Sequence, residues 1–94
     1  MAAYVIADVT VKNPDIYAEY RSQVLATVTK YGGRFLVRGS KSEALEGASP
    51  KRMVLLEFPS YEQAQKWYRS PEYAPLITLR QKASRGRLVL AEGV

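Results

Sequence analysis

Two carboxylates in this chain are placed where they could move a proton. Asp8 lies in an alternating run over residues 3–11, and Glu57 lies in an apolar run over residues 52–58. If the two runs are neighbouring strands, both side chains fall on one sheet face. Close together on an apolar face, two carboxylates push one pKa upward, as a general acid–base pair requires. The competing reading is an ion pair, with Arg38 or an arginine of a second copy as the cation. Register decides between faces, because a slip of one residue reverses them. Arg34 and Arg38 bracket a short strand-like run. A guanidinium at a strand end can fork onto a carboxylate or enolate oxygen of a ligand, or simply bridge to Glu46 or Glu57. Tyr17, Tyr20, Trp67, Tyr68 and Tyr73 recur at helical spacing. Such rings can line a cleft for a flat ligand, stacking on it and hydrogen-bonding its edge, or they can be core. In a catalytic arrangement Asp8 or Glu57 handles the proton, Tyr20 or Tyr68 donates to an oxyanion, and Arg38 fixes charge.

What the chain lacks narrows the chemistry further. It has no histidine and no cysteine, which removes the ordinary zinc ligands, the histidine ligand of haem, imidazole-activated nucleophiles and disulfides. No metal or organic cofactor is expected, and any base must be a carboxylate or phenolate. Gly32-Gly33 follows a helical run, whereas a phosphate cradle precedes one. The net charge is +5, but the basic residues are scattered, so a nucleic-acid partner is not expected. The densest group, Arg80, Lys82, Arg85 and Arg87, suits a solvated helix end. No apolar run approaches the ~20 residues of a membrane span, and the first residues do not form a signal peptide, so a cytoplasmic location is expected.

The elements that must position these residues are legible from periodicity. Residues 3–11 put Val5, Ala7, Val9 and Val11 on one face and Tyr4, Ile6, Asp8 and Thr10 on the other. Asn13-Pro14 opens a helix as N-cap and first residue. Tyr17, Tyr20, Val24, Val28 and Tyr31 form its buried stripe, and Gly32-Gly33 ends it. A second strand over 34–38 sets Phe35 and Val37 against Leu36, with a continuation over 43–46. A third strand covers 52–58. Ser60 and Gln63 make a capping box for a second helix, and Ser70-Pro71-Glu72 restarts it. Tyr73, Leu76, Ile77 and Arg80 share the inner face of that restart, and residues 87–92 form the last strand.

The order β-α-β-β-α-β predicts a single α+β domain over residues 1–94, the ferredoxin-like split βαβ sandwich with antiparallel sheet order 4-1-3-2. Both helices cover one face and leave Tyr4, Ile6, Met53 and Leu55 on the other. A bare apolar face predicts a homodimer packed sheet to sheet.

The segments YVIADVTVKNPDIYAEYR, YGGRFLVRG, LEG, LEFPSYEQAQKWYRSPEY and RLVLAEG resemble, in order and over essentially the whole chain, the bacterial family known as domain of unknown function 1330. The resemblance implies the dimeric α/β-barrel superfamily, whose members include cofactor-independent quinone-forming monooxygenases, muconolactone isomerase and stress-responsive barrel proteins. It supplies no reaction for the family itself. The expectation is a small-molecule protein for an aromatic or carbonyl metabolite, either a cofactor-free oxygenase or isomerase, or a dimeric module that binds a ligand or protein without turnover.

Overall fold

A computed structural model describes residues 1–94, with β1 Ala3–Val11, α1 Pro14–Lys30, β2 Arg34–Arg38, β3 Met53–Phe58, α2 Tyr61–Tyr68, α3 Ala74–Ala83 and β4 Ser84–Glu92. The four strands form one antiparallel sheet in the order β2-β3-β1-β4, which is the split βαβ arrangement expected from the order of elements.

Local chemistry explains the boundaries. Asn13 is extended and its side chain accepts a hydrogen bond from the Ile16 amide, with Pro14 at the first helical position. Gly32 leaves α1 at φ +81°, a left-handed turn that favours glycine. Ser60 caps α2 by accepting from the Gln63 amide. Ser70 Oγ accepts from the Tyr73 amide at 3.1 Å, so the expected cap is made one turn ahead of α3 proper.

Alternation assigns the faces. Val5, Ala7 and Val9 of β1, with Leu56 and Phe58 of β3, are buried against Tyr17, Tyr20, Val24 and Val28 of α1, Trp67 of α2 and Leu76 of α3. The opposite face carries Tyr4, Ile6 and Asp8, paired across the sheet with Glu57, Leu55 and Met53 on β3 and with Ala91, Val89 and Arg87 on β4. No helix covers that face.

Three local expectations are corrected. Residues 43–46 form no strand; the segment between β2 and β3 is irregular. β4 begins at Ser84, three residues before the expected start, because Ser84, Arg85 and Gly86 continue the ladder opposite Val11, Thr10 and Val9. β2 carries a bulge between Phe35 and Val37: Phe35 pairs with Leu56, whereas Val37 pairs with Leu55. Phe35 and Val37 therefore lie on opposite faces. The extra residue also turns Arg38, now opposite Val54, to the helix side. In a regular strand it would share a face with Arg34.

Candidate functional site

The helices and sheet enclose one cavity of about 30 Å³. Tyr17, Tyr20 and Val24 of α1, Trp67 of α2, Tyr73 before α3 and Val5, Ala7 and Val9 of β1 bound it. That volume holds one or two water-sized groups. Sheet alternation brings the β1 residues there, and the 3.6-residue repeat brings those of α1.

Its aromatic wall is a packed cluster. Trp67 stacks at 4.2 Å between centroids on Tyr73 and at 5.3 Å on Phe58, and is only 1% exposed. Its indole N–H donates to Thr27 Oγ1 at 3.1 Å, and the Thr27 hydroxyl donates to the Val24 carbonyl. Trp67 and Tyr73 are thus core residues whose inner edges reach the cavity. Of the three aromatics expected to rim the Ser70-Pro71 break, only Tyr68 is exposed. That residue, 40% exposed, lines a separate open groove with Tyr61, Leu88 and Val89 at the β4 edge.

Tyr20 and Tyr73 oppose their hydroxyls at 2.8 Å inside the core. Burial pushes the Tyr20 phenol far above the ordinary tyrosine range, helped by repulsion from an ionised Tyr73 and by the hydrogen bond between them. Burial also raises Tyr73, but the hydrogen bond with Tyr20, the positive charge of Arg80 and a hydrogen bond with Arg80 oppose the rise. Either hydroxyl can donate in this pair; when Tyr20 donates, the Tyr73 proton is free to point elsewhere. Both phenols are neutral at ordinary pH.

Four arginines complete the lining: Arg21, Arg38, Arg52 and Arg80. Arg38, turned inward by the bulge, lies 4.3 Å over the Phe35 ring and donates to the Arg21 carbonyl at 2.9 Å. Arg52 lies over the Tyr17 ring at 5.4 Å and donates to the Tyr17 hydroxyl at 3.3 Å. Gly39, at φ +70°, leaves the space that the Arg52 guanidinium fills; a Cβ there would strike it. No Asp or Glu lines the cavity.

Asp8 and Glu57 are not brought together. Asp8 pairs with Met53, four residues from Glu57 along β3, a separation of about 13 Å. Both also project from the sheet face away from the cavity. Glu57 is held by Arg34, 2.7 Å from Nη2, which is one of the ion pairs expected for that arginine. Asp8 accepts from the Lys51 amide at 3.1 Å and stands opposite Arg87. The proposed carboxylate pair on one apolar patch is therefore corrected: the two share a face but stand at opposite ends of it. Arg38 serves neither of them.

Arg21 and Arg52 carried no signal in the sequence. Arg80 carried a signal, since it shares the α3 inner face with Tyr73 and Leu76; its basic neighbours in sequence disguised it as part of a solvated helix end. Arg38 lines the cavity, but nothing in the sequence announces the bulge that aims it there.

Among solved structures, a protein of unknown function from Rhodopseudomonas palustris, RPA0582, matches with a TM-score of 0.75 at 20% identity, over 99% of this chain and 82% of that one. SnoaB, a cofactor-independent oxygenase from Streptomyces nogalater, matches with a TM-score of 0.66 at 14% identity, over 99% of this chain and 92% of that one. A protein named provisionally as an antibiotic biosynthesis monooxygenase, from Nitrosomonas europaea, gives 0.68 at 16% identity, over 99% and 90%. These likenesses establish a shared ferredoxin-like fold. No protein of curated function matches. The family model described as Domain of unknown function (DUF1330) matches residues 2–94, and the chain belongs to that family.

Proposed function

We propose that this protein binds a small aromatic or carbonyl-bearing metabolite between its helices and its sheet, as a homodimer joined through the bare sheet face. The observation that carries the reading is the cavity itself. It places polar groups, the Tyr20–Tyr73 hydroxyls and the buried Arg80, against apolar walls, with Arg38 and Arg52 half-buried at its lining. Binding sites are typically apolar concavities with a few convergent polar groups. SnoaB, of the same fold, is described as a cofactor-independent oxygenase, which makes cofactor-free chemistry on such a ligand the natural catalytic form.

The residue roles change with the geometry. Asp8 and Glu57 lie across the sheet from the cavity, so neither serves as a base there. A catalytic version would act on a ligand that arrives ionised, with Tyr73 donating to the developing oxyanion and Arg38 fixing charge. The lack of a cavity carboxylate also favours a second reading, a module that binds without turnover.

A thermal-shift screen of aromatic and dicarbonyl metabolites tests binding. A ligand at 100 times its dissociation constant adds about 2.7 kcal/mol, and Trp67 fluorescence should change over the same concentrations. Oxygen uptake or product formation with the hit separates catalyst from module. A screen without a hit that moves both signals would contradict the reading.

A further inference from the structure

Arg80 carries a further inference, which rests on the cavity being a ligand site. Its side chain projects from α3 into the sandwich and is 8% exposed, and its Nε has no protein partner. The two ion pairs of the chain, Lys30–Glu72 and Arg34–Glu57, lie elsewhere. No carboxylate lines the cavity on the inner side of Arg80. None lines the surface groove on its outer side either, where Lys12 and Arg85 add positive charge. A guanidinium stays protonated when buried, and a buried charge without a counter-charge is costly to maintain. Core arginines are ordinarily neutralised from within the chain; this one is not.

We infer that the cavity is an anion site, in which Arg80 and the Tyr73 hydroxyl hold the charged oxygens of a small carboxylate or enolate whose apolar body extends toward Arg38 and Arg52. The size agrees: about 30 Å³ fits a carboxylate head but not a ring. The body must lie nearer the mouth, against Phe35 and Val54. There the Arg52 contacts to the Tyr17 hydroxyl and the Arg38 carbonyl are long, 3.3 and 3.5 Å, and yield readily. The mouth arginines form no ion pair and would draw an anion inward before it meets Arg80.

Benzoate and its neutral isostere benzamide test this, with Trp67 fluorescence and melting temperature as readouts, on wild type, Arg80→Met and Arg80→Lys. In the wild type, benzoate should bind at least about tenfold more tightly than benzamide, equivalent to about 1.4 kcal/mol. Arg80→Met should erase that preference, and its melting temperature without ligand should equal or exceed that of the wild type, because it removes an uncompensated buried charge. Arg80→Lys should retain part of the preference. Equal binding of both probes to wild type, or a preference that survives Arg80→Met, would overturn the anion site and leave the small-molecule reading standing. If neither probe binds at millimolar concentration, the anion site falls, and the metabolite screen decides the small-molecule reading separately. A strongly destabilised Arg80→Met would mark Arg80 as structural and overturn the inference, unless Arg80→Lys folds and keeps the benzoate preference.

Discussion

At the scale of single residues, the buried phenol pair is the feature with the clearest consequences. Tyr20 and Tyr73 are each other's partners at 2.8 Å, so removing one hydroxyl leaves the other to find a substitute in the core. Tyr20→Phe should cost about 1–2 kcal/mol in urea denaturation; an unchanged midpoint would show the pair to be idle. The same burial makes stability depend on alkaline pH. Both phenols titrate above the ordinary value of 10.0 when folded. The unfolded chain therefore loses these protons first as pH rises, and stability present below about pH 10 declines above it. Absorbance of ionised tyrosine near 295 nm should rise in two stages, exposed phenols first and the buried pair only with unfolding. Tyr20 was legible from helical spacing, but its partnership with Tyr73 was not, because the two are 53 residues apart and meet only when α1 packs on α3.

At the scale of elements, α1 is fastened to the turn before α3 at its far end. Glu72 accepts from Lys30 Nζ at 2.5 Å and from the Tyr31 hydroxyl at 2.7 Å. Those two hydrogen bonds, Lys30's first, lower the Glu72 pKa from 4.5 to about 2. A lowered carboxyl pKa contributes stability above its unfolded value and loses it as pH falls from about 4.5 toward 2. In Glu72→Gln that part of the acid limb should be missing from the unfolding profile, while stability near pH 7 falls slightly. An identical acid limb in both proteins would contradict the fastening. The indole of Trp67 joins α2 to α1 through Thr27, and Trp67→Ala should cost ~3–5 kcal/mol by calorimetry or denaturant. Element order, the caps at Asn13 and Ser60 and the sheet faces of β1 and β3 were legible because each is written in local periodicity or capping chemistry. The β2 bulge, and with it the inward turn of Arg38, was not. A bulge is set by how β2 meets β3 across an irregular segment, and Phe35-Leu36-Val37 read alone is an ordinary alternating strand.

At the scale of the whole molecule, the sheet divides two tasks. Its helix side encloses the arginine-lined cavity; its other side presents Ile6, Leu55, Met53 and Val89 between an Asp8–Arg87 end and a Glu57–Arg34 end. An apolar centre with both charges at each end is self-complementary under a two-fold axis. The chain should sediment as a dimer at micromolar concentration, and Leu55→Asp should give monomer or aggregate; a wild-type monomer by analytical ultracentrifugation would contradict this. The central claim, that the helix side of the sheet is the ligand side, is tested most directly by a benzoate titration of the ¹⁵N-labelled protein. The Trp67 indole N–H and the Arg80 Nε–H resonances should move together and saturate, while the amides of Asp8, Met53 and Glu57 stay in place. Saturable shifts confined to Asp8, Met53 and Glu57, with Trp67 and Arg80 unmoved, would place the ligand on the wrong side of the sheet and contradict it.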